Sequence, residues 1–152
     1  MRLHLVANTI VDNAWDTDLT LCPLKFQKLL YFTCGFYMAR TNEKLFKEPF
    51  YAYPYGPLEK KSYRAFSHYG PRGIYGYMSE EKVLKGHHTH AVFQCINAVI
   101  ESYGFRDDLD LANETHRRDG PWFDAWTKKP RGIIKSESIK EHFLPIAKAA
   151  LD

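Results

Sequence analysis

Hydrophobic residues recur at helical spacing from the first turn of the chain. Leu3, Val6, Ala7, Ile10, Val11 and Ala14 form the stripe of an amphipathic helix laid on a core. From Trp15 to Leu21 the chain is a polar connector. Pro23 suits the first turn of a second helix, where its missing N–H goes unnoticed. There Phe26, Leu29, Leu30, Thr33 and Tyr37 keep the helical period, and Leu24, Phe32 and Phe36 extend the apolar surface nearly all round. A helix of that kind belongs in the middle of a core. The pattern then predicts extended chain over 50–53 and a sharp turn in Pro54-Tyr55-Gly56-Pro57, with Pro57 opening a third helix. Leu58, Ser62, Ala65, Phe66 and Tyr69 give that helix its buried stripe, and Gly70 reads as a left-handed stop.

Pro71 to Tyr77 has no helical period and reads as loop with room for a short strand. Ser79-Glu80-Glu81-Lys82 suits the cap of a brief helical turn before Gly86. Val92, Ile96, Val99 and Tyr103, flanked by Phe93 and Ile100, predict a buried helix from about His88 to Tyr103, ended by Gly104. Asp107 or Asp108 can cap a short helix through His116, with Leu109, Leu111 and Ala112 inward. A turn over 117–121 leads to an aromatic pair, Trp122 and Trp126, then to a basic loop from Lys128 to Gly132. Ile133 and Ile134 read as a short edge strand. Ser136 reads as the cap of the last helix, with Ile139, Phe143 and Ile146 inward and Pro145 kinking or ending it. The sum is mainly α, formally α+β with a minor β component. It is a compact single helical domain over residues 1–152, of about five to six helices plus a short β-hairpin or small sheet.

Composition narrows the classes. A length of 152 residues suits one domain with a sizeable core, and aromatics reach 15% through 10 Tyr and 10 Phe. The net charge of +3 comes from Lys and Arg interleaved with Asp and Glu, unlike the concentrated basic element of a dedicated nucleic-acid binder. Cys22, Cys34 and Cys95 are odd in number and neighbour apolar residues, as free buried thiols in a reducing compartment do. The first fifteen residues lack the apolar run of a signal peptide, and no stretch nears the ~18 apolar residues of a membrane span. A soluble cytoplasmic protein is expected.

Catalytic and metal chemistry is not visible. His87, His88 and His90 cluster beside Gly86 at a helix start, without the Cys or His pairs that a zinc site needs. Cys34 lies inside the most apolar helix, the wrong setting for a thiolate nucleophile. No phosphate-binding glycine loop occurs, so no cofactor is indicated. The acidic pairs Glu80-Glu81 and Asp107-Asp108 adjoin helix starts, where they complement the dipole.

Two stretches are richer than packing requires. In Tyr53-Pro54-Tyr55-Gly56-Pro57 a stiff turn either fills the core with its tyrosines or presents Tyr53, Tyr55 and Pro57 to a partner. In 115–122, His116, Arg117, Arg118 and Asp119 beside Trp122 either terminate a helix or form a polar and aromatic binding patch.

Three blocks resemble the Panacea domain family of SocA-like antitoxins, whose members are often called phage-associated proteins. The run Leu24-Lys25-Phe26-Gln27-Lys28-Leu29-Leu30-Tyr31-Phe32 is similar to the family's opening motif. Leu45-Phe46, Glu48-Pro49, Tyr55-Gly56-Pro57 and His68-Tyr69-Gly70 continue it. Leu111 to Trp122 and Ile134 to Phe143 resemble its later segments, in the family's order across nearly the whole chain.

The resemblance implies a mostly helical fold and neutralisation of a cognate toxin, encoded by the adjacent gene, through direct binding. Family members are paired with very different toxins, including alarmone-synthetase-like enzymes and membrane-acting peptides. The SocA branch is implied to deliver its toxin to a cellular protease. Some members carry a helix-turn-helix domain for which 152 residues leave no room, so self-repression is not expected. The stretch from Gly70 to His88 departs most from the family pattern, and with the 128–132 loop it is a candidate for encoding partner choice. Two other classes compete. Arg117, Arg118, Lys128, Lys129 and Arg131 motivate a nucleic-acid-binding or regulatory module of prophage origin, and His116 with Asp119 motivates a small hydrolase that lacks a nucleophile.

Overall fold

The computed structural model describes residues 1–80, 83–85 and 89–151. Its axis is α2 (Pro23–Thr41), with Pro23 in the first turn and Asn42 closing the helix in the left-handed conformation. Phe26 through Phe36 are all buried, as its nearly all-round apolar sequence requires, whereas Leu24 at the exposed entrance is not. Packed around it are α1 (Leu3–Asp16), α3 (Lys60–Phe66), α4 (His90–Val99), α5 (Asp108–Thr115), α6 (Pro121–Lys128) and α7 (Ser136–Leu151). A π-helical turn, Ile100–Gly104, continues α4. The fold is mainly α with a small β component, and α6 adds a helix where the sequence suggests a turn and an aromatic pair.

The most extensive packing joins α2 to α7. Phe143 meets Tyr31, Phe32 and Phe36 at ring separations of 5.5, 6.0 and 5.9 Å, while Tyr103 stacks on Phe32 at 4.2 Å. Gly35 makes this possible, because a Cβ there would overlap the Phe143 ring. Pro145 lies inside α7, which runs on to Leu151.

On α1 the predicted stripe is buried, and so are Asn8 and Thr9, which the hydrophobic pattern passes over. They fasten the following loop. The Met78 N–H donates to Asn8 Oδ1 at 2.6 Å, the Leu84 N–H to Thr9 Oγ1 at 3.0 Å, and the Tyr77 hydroxyl to Asp12 at 2.7 Å. The expected cap at Ser79 to Lys82 and its stop at Gly86 fall partly outside the described residues.

The sheet has the order β2-β1-β3, all antiparallel, from β1 (Phe50–Tyr53), β2 (Gly56–Leu58) and β3 (Ile133–Ile134). Pro57 does not open α3, and Leu58 is not on its stripe. Both belong to β2, with Pro57 opposite Ala52. The reason is hydrogen bonding. Ala52 turns both backbone groups the other way, its N–H donating to Gly132 O and its C=O accepting from Arg131 N, each at 2.8 Å. Nothing across the strand therefore needs the N–H that proline lacks. The cap of α3 is Glu59. That helix ends at Phe66 in right-handed geometry, so Gly70 is no left-handed stop. Gly73 is the left-handed one, at φ 97°, where the chain folds back so that the Ile74 N–H reaches Leu21 O at 2.8 Å.

Asp107 caps α5 through the Asp110 N–H at 2.8 Å. Leu111 is buried, but Leu109 points outward and is 72% exposed, because α5 packs by a single narrow face.

Candidate functional site

Two turns far apart in sequence meet. The β1–β2 hairpin closes through Pro54 and Tyr55, with Gly56 at φ 120° directly under Thr115 of α5. From the α5–α6 turn, the Trp122 indole N–H donates to Tyr53 O at 2.8 Å. His116 Nε2 lies 3.1 Å from Pro54 O, and its Nδ1 lies 2.6 Å from Ala112 O. The two rings contact edge to face at 4.0 Å, and Trp122 stacks on Trp126 at 5.3 Å. The hairpin turn is thus held by two side chains of the other turn.

These contacts divide the eight candidate residues. Trp122 is buried and His116 half-buried, and these two hold the turns together, while Pro57 is buried within β2. Tyr53 is half-buried, while Tyr55, Arg117, Arg118 and Asp119 face solvent, Tyr55 at 60% exposure. Arg117 is not a free cation. Its guanidinium donates twice to Asp119, at 3.2 and 3.1 Å, and that hydrogen bonding holds the Asp119 carboxyl below the usual carboxylate range.

The same geometry bears on the competing chemistries. Both nitrogens of His116 face backbone carbonyls and Asp119 is engaged by Arg117, so the two do not form a dyad. Of the five clustered cations, Arg117 is paired with Asp119 and Lys128 with Asp124. Among the described residues no group of three or more His, Cys, Asp or Glu could hold a metal ion; His87 and His88 lie outside them. Cys34 and Cys95 are buried free thiols, pushed up by burial, Cys95 to about 11; Cys22 is half-buried. No helix among the described residues is long and apolar enough to cross a membrane.

Beside the hairpin opens a groove of about 320 Å3, lined by Tyr53, Tyr55, Tyr63, Lys60, Arg64 and Arg131 with Leu58 at its floor. Lys60, Tyr63 and Arg64 were not singled out by the sequence. Their i, i+3 and i+4 spacing on α3 was the available signal, masked by the expectation that the helix begins at Pro57. Underneath, a buried polar network fixes α3. The Glu59 N–H donates to Gln27 Oε1 at 2.7 Å, Gln27 Nε2 donates to Ser62 Oγ at 2.9 Å, and the Glu59 carboxylate accepts from the Ser62 N–H at 2.7 Å and the Lys61 N–H at 3.0 Å. A larger cavity, about 640 Å3, lies elsewhere, between the start of α1 and the 44–48 stretch.

The family model for antitoxin SocA-like, Panacea domain proteins matches residues 26–123, and the chain belongs to that family. It is similar to Antitoxin SocA of Caulobacter vibrioides (strain NA1000 / CB15N), with 30% identity over 124 residues. That alignment covers 77% of this chain and 66% of the relative, so the chain spans just under two thirds of the relative's length. No solved structure matches the chain.

Proposed function

We propose that this chain is a non-enzymatic antitoxin that neutralises a protein toxin, encoded beside it, by direct contact. Family membership is the observation that carries the reading. The contact face is the one where the two turns meet. Tyr55, Tyr53, Arg118 and the Arg117–Asp119 pair offer its surface, and His116, Trp122 and Pro57 hold that surface in shape. Tyrosine and arginine are the residues most often found as interface anchors. Residues 1–152 act as one domain in this reading, supported by a buried cluster that runs from Leu3 to Ala147. Action in the cytoplasm is supported by the three free cysteines.

The test is co-expression of the adjacent gene with and without this chain, scoring host growth and co-purification. Rescue of growth with a stable complex is expected. Tyr55→Ala should weaken that complex without lowering thermal stability, because its side chain is largely exposed. Toxicity of this chain on its own, or a neighbour that is harmless and does not co-purify, would overturn the reading. Delivery to a protease is a further step of the same proposal, and it predicts a shorter toxin half-life when the antitoxin is present.

A further inference from the structure

We infer that the groove between the hairpin and α3 receives an acidic segment of the partner protein, an assignment that rests on the antitoxin reading above. Three tyrosines and three cations line it, and no acid does. Five cations outside the groove sit in ion pairs: Lys61 with Glu48, Arg106 with Asp110, Arg117 with Asp119, Lys128 with Asp124 and Lys140 with Glu137. Among the described residues Lys60, Arg64 and Arg131 have no carboxylate within ion-pair distance. What sets them apart is that all three line one groove that has no acid in its wall.

The cations are also positioned. Lys60 Nζ lies 4.0 Å from the centre of the Tyr51 ring, and the Arg131 guanidinium carbon lies 5.4 Å from that of Tyr53. Cation–π contact of this kind orders long side chains without neutralising them. Arg131 has a left-handed backbone, φ 64°, pinned by its N–H to Ala52 O. Glycine or asparagine takes that conformation more easily. An arginine placed where its backbone is disfavoured points to use of its side chain.

A carboxylate-bearing peptide matches this lining: guanidinium groups bind carboxylates in bidentate fashion, and tyrosine faces cover the intervening stem. Nucleic acid fits less well. Lys and Arg are interleaved with Asp and Glu along the chain rather than gathered on one element, as a nucleic-acid track requires.

Binding of the adjacent gene's product is to be measured for wild type, for a Lys60→Glu/Arg64→Glu/Arg131→Glu variant, and for Arg131→Gly. The charge-reversed protein should bind about ten- to a hundredfold more weakly, and wild-type affinity should fall between roughly 50 and 500 mM salt. Arg131→Gly should lose affinity while its thermal midpoint stays level or rises, a pairing that a purely structural arginine does not produce. A fluorescein-labelled oligoglutamate peptide serves as a second probe, bound by wild type at low salt and not by the charge-reversed variant. If the neighbour fails to bind but oligoglutamate binds in this charge-dependent way, the antitoxin reading falls while the groove's preference for an acidic segment stands. Equal binding of both probes by wild type and charge-reversed protein, with circular dichroism showing both folded, overturns the assignment. So does preferential binding of an oligothymidylate of matched charge.

Discussion

Replacing Trp122 with alanine separates a residue that holds a binding surface from one that is the surface. The indole is 6% exposed, stacks on Trp126, meets His116 edge to face and donates to the Tyr53 carbonyl. Truncating a buried tryptophan costs about 3–5 kcal/mol. The ring contacts and the hydrogen bond each account for roughly 0.5–1.5 kcal/mol of such a loss, and they overlap, so about 4 kcal/mol is the working figure. That is a large fraction of the ~5–15 kcal/mol stability of a typical domain, and for this size it lowers Tm by roughly 8–16 °C. Trp122→Phe keeps most of the packing but leaves Tyr53 O without its donor, and should cost only about 1–2 kcal/mol. Urea titration followed by circular dichroism and by the fluorescence of Trp15 and Trp126 gives both numbers. A Trp122→Ala protein destabilised by less than about 1 kcal/mol, yet unable to bind the adjacent gene's product, would refute the reasoning. It would make the indole a contact residue.

Gly35→Ala places a methyl group in the Phe143 ring, so a loss of about 1–3 kcal/mol or more is expected in the same urea titration. Gln27→Leu should cost about 1–3 kcal/mol, because it strands the buried Glu59 N–H and removes the Ser62 contact; thermal unfolding checks it. His142 is held below its ordinary value, mainly by burial, with Asp119 opposing. The unfolded chain then takes up the proton first, so this contribution is complete above about pH 6.5 and is lost as pH falls through the lower folded value. A His142→Gln protein should show a flatter stability profile in that acid range. A thiol-reactive dye should label Cys22 in the native protein well before Cys34 and Cys95, and all three at similar rates in denaturant.

Helix α1 and the axis α2 were legible because burial there follows one simple period, and Val6, Ile10, Phe26 and Leu30 had no competing role. The boundary at Pro57 was not. Proline opens helices often enough to make that reading natural, and only the pairing of Ala52 with Gly132 and Arg131, some eighty residues away, makes a strand at Pro57 free of cost. Leu109 failed for a related reason. An eight-residue helix buries one narrow face, and the sequence does not say which leucine lies on it. Asn8, Thr9 and Gln27 were invisible to a hydrophobic pattern because their burial is made favourable by partners distant in the chain.

For the candidate surface, the sequence supplied residues in two turns but neither their adjacency nor the division of labour within them. His116, Trp122 and Pro57 drew attention for their chemistry, and that chemistry is directed inward, onto the hairpin's own carbonyls and strand. What remains outward is Tyr55, Arg118, the Arg117–Asp119 pair and the unpaired cations Lys60, Arg64 and Arg131. The family match ends at Phe123, so it includes the hairpin, α3 and the turn that clamps them but not Arg131. The clamp residues shape the surface and the rim residues carry its charge, so the two sets have separable effects on binding. On that argument, exchanging rim residues such as Lys60, Arg64 and Arg131 should change which partner is bound, whereas changing His116 or Trp122 should weaken binding to any partner by loosening the clamp. Binding of two unrelated partners, compared across both sets of variants, separates the two effects.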